Sequence, residues 1–259
     1  MKFYKYHGAG NDFILLDNRL DICQHIPVQS WCDRHTGIGA DGLMLLENDP
    51  ELDFRMVYYN SDGGLSTLCG NGARCITRFA ADLGIIQEQT ARFMAADGPH
   101  EAQLLPNGNI ALQMNDVRHI EQQGEDLVLH TGSPHYLIFT DRDPALYDLT
   151  ALAHRIRYSD KYATEGINVN LVELRSADTL FMRTYERGVE NETLSCGTGV
   201  TAAALGAHAR NNGEEGNFSF HVHTRGGILQ VKFSFTQGMY RDIVLTGPAV
   251  KVFEGFMEL

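Results

Sequence analysis

The sequence predicts an α+β fold of two structurally similar lobes. Three observations lead there: an internal repeat at about half the chain length, one helix-patterned segment in each copy, and short β-prone runs across most of the remainder. In the repeat, Phe54-Arg55-Met56-Val57-Tyr58-Tyr59-Asn60 resembles Leu180-Phe181-Met182-Arg183-Thr184-Tyr185-Glu186. Each run is followed by a Cys-Gly-x-Gly motif, Cys69-Gly70-Asn71-Gly72 in one case and Cys196-Gly197-Thr198-Gly199 in the other. Upstream, Gly37-Ile38 before Leu43–Glu47 matches Gly166-Ile167 before Asn170–Glu173, and His7–Ile14 lies against Thr131–Ile138. The offsets of 124, 129 and 127 residues point to a duplicated domain and not to a short-period solenoid.

Both cysteine motifs are expected to open a helix. After Cys69, Ala73, Ile76, Ala80 and Leu83 recur at helical spacing, and Gly84 supplies a stop. After Cys196, Val200, Ala203, Ala204 and Ala207 mark one face, which Asn211-Asn212-Gly213 ends. Strands are expected at Asp12–Asp17, Thr90–Ala95, Asn109–Met114, Phe218–His223 and Ile228–Phe235, the last two joined by a hairpin at Arg225-Gly226-Gly227. A boundary is expected near residues 115–125, where Asn115-Asp116 and the polar run Glu121–Asp126 interrupt the pattern. That divides the chain into lobes 1–118 and 119–259, with the last strand free to return to the first lobe. Each lobe is then a mostly antiparallel sheet around a central helix. A pseudo-twofold relation between the lobes would set the active site in the cleft between them.

Composition narrows the function classes. The chain is 43% hydrophobic and 21% charged, which suits a globular protein and not a disordered one. A net charge of -12 speaks against nucleic acid or an anionic membrane as partner. No apolar run approaches the ~20 residues of a membrane span, and the N-terminal residues lack the apolar stretch of a signal peptide. Five cysteines, an odd number thinly spread, do not form a secreted disulfide framework, so a reducing cytoplasm is expected.

A cysteine at a helix N-terminus is chemically special. Unpaired N–H groups and the macrodipole favour the thiolate there. The same N–H groups bind carboxylates, and glycine lets a ligand come close to them. Each motif therefore joins a potentially basic sulfur to a carboxylate cradle. Two such units on either side of a bound amino acid would let one sulfur remove the α-proton and the other deliver one to the opposite face. Charge that builds up on the α-carboxylate would be stabilised by the helix amides.

At these residues the sequence resembles the diaminopimelate epimerase family over nearly its whole length. The specific pieces are His7–Phe13, Gly37–Gly42, Asn60–Gly63, Cys69–Cys75, Asn168–Asn170, Glu186–Gly188 and Cys196–Gly199. The resemblance implies a cofactor-independent enzyme of lysine and peptidoglycan-precursor synthesis, a homodimer, interconverting LL- and meso-diaminopimelate. By the same resemblance Cys69 and Cys196 are the acid–base pair, His135 contacts the first thiol and Glu186 the second. The amides of Gly70, Asn71, Gly197 and Thr198 would hold the reacting carboxylate. Asn11, Asn60, Asn168 and Arg187 would hold the distal end, Arg187 through its planar fork. This chain departs from the family pattern at Ser133, where many members have Asn, and at Gly42, where some have Gln. The stretch Val189–Thr193 is one residue longer. None of these touches the thiols; all bear on the distal end.

Simpler readings apply elsewhere. Cys75, Cys23 and Cys32 are expected in the core, and the cysteine spacing fits no zinc site, so no metal is expected. His221 and His223 share a strand face and need no metal. Arg74, on the first turn of its helix, is expected solvated or salt-bridged, and Asp12 and Asp41 are expected to order backbone. Competing functions are a sister isomerase on the same scaffold (a proline racemase or a phenazine-pathway type), a binding module that kept only the cleft, and a Cys–His hydrolase. The matched pair of thiols argues against the last two and against the phenazine type. The Gly-Asn-Asp-Phe start and the Glu-Arg-Gly run argue against a proline racemase.

Overall fold

Some strands alternate between core and solvent at period two, as Thr90–Ala95 does, and others such as Gly42–Glu47 and Asn168–Leu174 are buried along most of their length. Turn residues with positive φ join many of them. The computed structural model describes every residue except Gln24, Thr67, Asn212 and Leu259. The chain forms two units, Met1–Leu112 with Gly247–Leu259, and Gln113–Thr246.

The first unit runs β1 (Lys2–Gly8), β2 (Asn11–Asp17), α1 (Val28–Cys32), β3 (Gly42–Glu47), β4 (Phe54–Asn60), α2 (Gly70–Asp82), β5 (Thr90–Ala95), β6 (Gly98–Leu104) and β7 (Ile110–Gln113). Neighbouring strands pair in sequence order: β1–β2 antiparallel, β2–β3 parallel, β3–β4 antiparallel, β4–β5 parallel, then β5–β6 and β6–β7 antiparallel. Ala9 and Gly10, at φ 52° and 85°, make the two-residue turn between β1 and β2. One face of the sheet buries Ile14, Leu16, Leu43 and Leu45 against Trp31 of α1. Helix α2 packs on the strands with residues 70–77, 79 and 80 buried, and Gly84, at φ 72°, ends it.

The second unit runs β8 (Ile120–Gln123), β9 (Asp126–His130), β10 (Pro134–Thr140), α3 (Leu149–Arg157), β11 (Asn168–Leu174), β12 (Thr179–Glu186), β13 (Asn191–Thr193), α4 (Gly197–Arg210), β14 (Gly216–Thr224), β15 (Gly227–Thr236) and β16 (Met239–Gly247). Its pairings repeat those of the first unit step for step. β9–β10 is antiparallel, β10–β11 parallel, β11–β12 antiparallel, β12–β14 parallel, and β14–β15 and β15–β16 antiparallel. The last strand, β17 (Val250–Phe256), runs antiparallel to β1, as β8 does to β9. The fold is α+β, and its two units are copies of one topology. Helix α4 is buried almost all round, from Gly197 to His208, so its alanine-rich composition serves close packing on β10–β12, β14 and β15.

The structure corrects one expectation and adds one helix. The polar run Glu121–Asp126 is no interruption: it is the turn and flanks of the β8–β9 hairpin, closed where Gln123 faces Asp126, with Gly124 at φ 65°. The stretch before β11, where the sequence analysis names no element, holds α3. Its signals are Asp148, which caps the helix by accepting the Ala151 N–H, and Leu149 and Ala153 buried on one face. The end of α4 at Asn211 agrees with expectation, although Asn212 lies outside the described residues.

Candidate active site

Each unit has one cysteine centre, and the two share the same backbone geometry. Cys69 is the N-cap of α2 at φ -107° and ψ 119°; Cys196 is the N-cap of α4 at φ -116° and ψ 113°. The Cys69 carbonyl accepts the Ala73 N–H at 2.7 Å and the Cys196 carbonyl accepts the Val200 N–H at 2.9 Å. The amides of Gly70 and Asn71, and of Gly197 and Thr198, lie in the first turn and have no acceptor inside the helix. The second glycine of each motif lets the helix sit on the third strand of its sheet. A Cβ on Gly72 would meet the end of Met44 of β3, and one on Gly199 would meet Asn170 of β11.

Around Cys69 the polar groups form a chain. Asn11, at the start of β2, presents Oδ1 3.5 Å from the Cys69 sulfur, which donates to it, and accepts the Asn71 amide at 3.2 Å. Its own Nδ2 donates to Asp41 at 2.6 Å. Arg34 bridges Asp41 and Asp12, and buried Lys5 pairs with Asp12 at 2.7 Å. Burial alone would raise the Asp12 carboxyl, but the hydrogen bonds from Arg34 and Lys5 outweigh it and hold it down at about 2. Asp12 and Asp41 thus do more than order backbone. Arg74 also differs from expectation. It is fully buried, and it donates to the Gly70 carbonyl at 3.1 Å and to Asn71 Oδ1 at 2.7 Å. Burial lowers its guanidinium to about 10.

Asn60 ends β4 opposite Gly42. A Cβ on Gly42 would lie 2.6 Å from both the Tyr58 ring and the Tyr59 carbonyl, so the tyrosine occupies the place of a longer side chain.

Around Cys196 a second chain runs through His135; the resemblance assigns this ring to the first thiol, and the structure links it through Thr198 to the second. The His135 ring, at 0% exposure, places Nε2 2.9 Å from the Thr198 hydroxyl and Nδ1 3.1 Å from Asn170 Nδ2. Thr198 Oγ1 in turn lies 3.4 Å from the Cys196 sulfur. Burial drives the imidazole pKa down to about 3, so the ring is neutral.

The remaining expected residues gather at the end of β12. Asn168 accepts the Arg187 N–H at 2.9 Å and donates to Ser133 Oγ at 2.8 Å. Arg187 reaches Ser133 Oγ at 3.4 Å and the Glu165 carbonyl at 2.9 Å. Ser133 is therefore the shared acceptor of this cluster. Glu186 accepts the Thr193 hydroxyl at 2.6 Å. Asn170 and Arg74 are not among the site residues expected from the sequence, and Ser133 is expected there only as a departure at the distal end. Asn170 had a signal, since it falls on the same strand face as Asn168.

The other cysteines are buried, and burial raises the Cys32 thiol to about 11 and the Cys75 thiol further still. His221 is exposed on β14, and among the described residues no three His, Cys, Asp or Glu side chains gather as a metal site.

The model of the diaminopimelate epimerase family matches residues 3–120 and 127–252. The chain belongs to that family. A relative named diaminopimelate epimerase from Flavobacterium psychrophilum is 48% identical, over 98% of this chain and 99% of its own. Others of the same name are 40% identical in Chlorobaculum tepidum, over 97% and 99%, and 36% in Aquifex aeolicus, over 98% and 97%. Members of this family are epimerases, that is, isomerases. Solved structures share the fold at low identity. A phenazine biosynthesis protein from Bacillus anthracis superposes with a TM-score of 0.76 at 13% identity, covering 100% of this chain and 99% of that one. A hydroxyproline epimerase from Agrobacterium vitis does so with 0.70 at 15%, covering 98% and 91%. Among the described residues no helix is long and apolar enough to cross a membrane.

Proposed function

We propose that this protein interconverts LL- and meso-2,6-diaminopimelate by passing a proton at one α-carbon between Cys69 and Cys196, without pyridoxal phosphate or a metal ion. The observation that carries this reading is the doubled cap: two cysteines at the same place in two copies of one topology, each with first-turn amides behind it. The names of relatives up to 48% identical along the full chain support the substrate.

One cysteine, as thiolate, takes the α-proton, and the electron pair left on carbon delocalises into the α-carboxylate. The other, as thiol, gives its proton to the opposite face and becomes the thiolate. The amides of Gly70, Asn71, Gly197 and Thr198 hold the carboxylate and stabilise the charge as it grows. His135 and Glu186 tune the thiols. Arg187 takes the distal carboxylate in its fork, with Asn11, Asn60 and Asn168 as further contacts for the substrate. The reading places the enzyme in lysine and peptidoglycan-precursor synthesis, as a cytoplasmic homodimer.

The test is proton exchange in heavy water with purified protein. Early in the reaction the product should carry deuterium at the inverted carbon while recovered substrate carries almost none, because two separate groups handle the proton. Activity should survive chelation and need no added pyridoxal phosphate. Product that keeps the original hydrogen would overturn the two-cysteine route, and activity lost to a chelator and restored by zinc would overturn the metal-free one.

A further inference from the structure

We propose that the resting protein carries its exchangeable proton on Cys69 and keeps Cys196 as the thiolate, because the hydrogen-bond chains behind the two sulfurs end in opposite senses. This rests on the reading of the two cysteines as the acid–base pair, and it assigns which is which.

At Cys69 the chain ends in an acceptor. Asn11 donates its Nδ2 to Asp41 Oδ2 at 2.6 Å, and a carboxylate only accepts. The amide oxygen of Asn11 must then face the sulfur. A second constraint agrees. Arg74 only donates, so Asn71 turns its oxygen to the guanidinium at 2.7 Å and its Nδ2 to Asn11 Oδ1 at 3.2 Å. Asp41 and Arg74 fix the same amide from two sides. An acceptor facing a sulfur favours the protonated thiol.

At Cys196 the chain ends in a donor. Asn170 Nδ2 donates to the Tyr136 carbonyl at 3.1 Å, which only accepts, so the same nitrogen faces His135 Nδ1 at 3.1 Å. Nδ1 is then the acceptor of the neutral ring, and Nε2 carries the hydrogen that goes to Thr198 Oγ1 at 2.9 Å. The Thr198 hydroxyl, already an acceptor from the ring, has its own hydrogen available for the sulfur 3.4 Å away, and the proposal assigns it there. A donor facing a sulfur favours the thiolate.

Titratable and charged groups accompany both chains. On the Cys69 side these are Arg74 and Cys75 of α2, and Lys5, Asp12, Arg34 and Asp41, which pair among themselves. On the Cys196 side they are neutral His135, with His130 and Arg187 acting on it, and Glu186 on β12. Asp41, Arg74 and Asn170 act through Asn11, Asn71 and His135, and are positioning residues.

The experiment follows alkylation by iodoacetamide against pH, resolved by peptide mass, with each cysteine measured while the other is serine. The midpoint of the rate curve reports protonation and not exposure. Cys196 should titrate about one pH unit or more below Cys69. Thr198→Val should raise the Cys196 midpoint by about one unit, and Thr198→Ser, which keeps the hydroxyl, should not. Asp41→Asn can donate to Asn11, lets its amide turn, and should lower the Cys69 midpoint. That shift should vanish in an Asn11→Ala background. A reversed or equal order of midpoints, an unmoved midpoint in Thr198→Val, or an Asp41→Asn shift that persists without Asn11 would overturn the assignment. None of these measurements uses turnover, so an inactive protein with these midpoints would count against the proposed reaction alone.

Discussion

Glu190 takes the guanidinium of Arg157 on one carboxylate oxygen, from Nε at 3.1 Å and Nη2 at 2.8 Å, while its own backbone sits at φ 54°. The same carboxylate accepts the Gly188 N–H and the hydroxyls of Tyr158 and Tyr185. A non-glycine residue in the left-handed region is uncommon, and here five donors hold it. The consequence is that the Val189–Thr193 stretch is tied to α3, and the turn that carries Glu186 and Arg187 is tied with it. Glu190→Gln should cost about 1 kcal/mol, since the pair is partly exposed. It should also raise KM for diaminopimelate more than it lowers kcat, because on the proposed reading this turn positions Arg187 for the distal carboxylate. Urea unfolding and steady-state kinetics check both. An unchanged KM would detach this brace from the distal contact.

Arg187 and Ser133 offer a finer comparison. Ser133 Oγ is acceptor to both Asn168 and Arg187. Ser133→Ala should raise KM modestly, and Arg187→Lys more, since lysine keeps the charge but loses the fork. If Cys69 is the general acid–base group proposed above, Cys69→Ala should instead reduce turnover by about 10²-fold or more. Equal effects of Arg187→Lys and Cys69→Ala on kcat would show the roles to be wrongly assigned.

What was legible in the sequence is what local pattern can encode. The repeat appeared because strands β4 and β12 and the helices after them keep their residues in order. Cys69 and Cys196 stood out because a cap is a local feature. Partner choice was not legible. Asn11 meets Asp41 across 30 residues only because β2 and β3 run parallel, which puts the start of one strand beside the start of the other. Arg74 reads as a surface residue on helical spacing, yet it is buried, because α2 is covered around most of its first two turns. The β8–β9 hairpin was hidden by its polarity: Glu121 and Gln123 are half-exposed, Gln122 is exposed, and Gly124 marks the turn.

The buried His135 should make the fold sensitive to mild acid. Its pKa falls from the ordinary value near 6.5 to about 3, by burial first. Between those values the unfolded chain binds a proton that the folded one refuses, so stability falls as pH drops through this window and is fully present above it. Unfolding free energy measured in urea from pH 7.5 to 4 should show this loss. His135→Gln retains a donor toward Thr198 and removes the titration, so its slope should be smaller by about one proton. A mutant with the parental slope would mean that another group carries the acid sensitivity.

The second glycines of the two motifs should differ sharply in their tolerance of a methyl group, although they occupy equivalent places. A Cβ on Gly72 would fall 1.9 Å from Met44 Cε, the far end of a flexible side chain that can move aside. A Cβ on Gly199 would fall 2.7 Å from Asn170 Oδ1 and 3.2 Å from His135 Cε1. Those two groups are locked to each other, to Thr184, to the Tyr136 carbonyl and to Thr198, so neither can yield without breaking hydrogen bonds in a buried site. Gly72→Ala should therefore cost about 1 kcal/mol or less, near the low end for overpacking, whereas Gly199→Ala should cost about 3 kcal/mol. The second change should also raise the pH midpoint of Cys196 alkylation, because shifting His135 takes its hydrogen from Thr198 and frees that hydroxyl to turn from the sulfur. Unfolding curves and alkylation profiles of the two mutants decide the matter: equal costs, or a Gly199→Ala protein whose Cys196 titrates as in the parent, would show that His135 and Asn170 are not the rigid pair their hydrogen bonds describe.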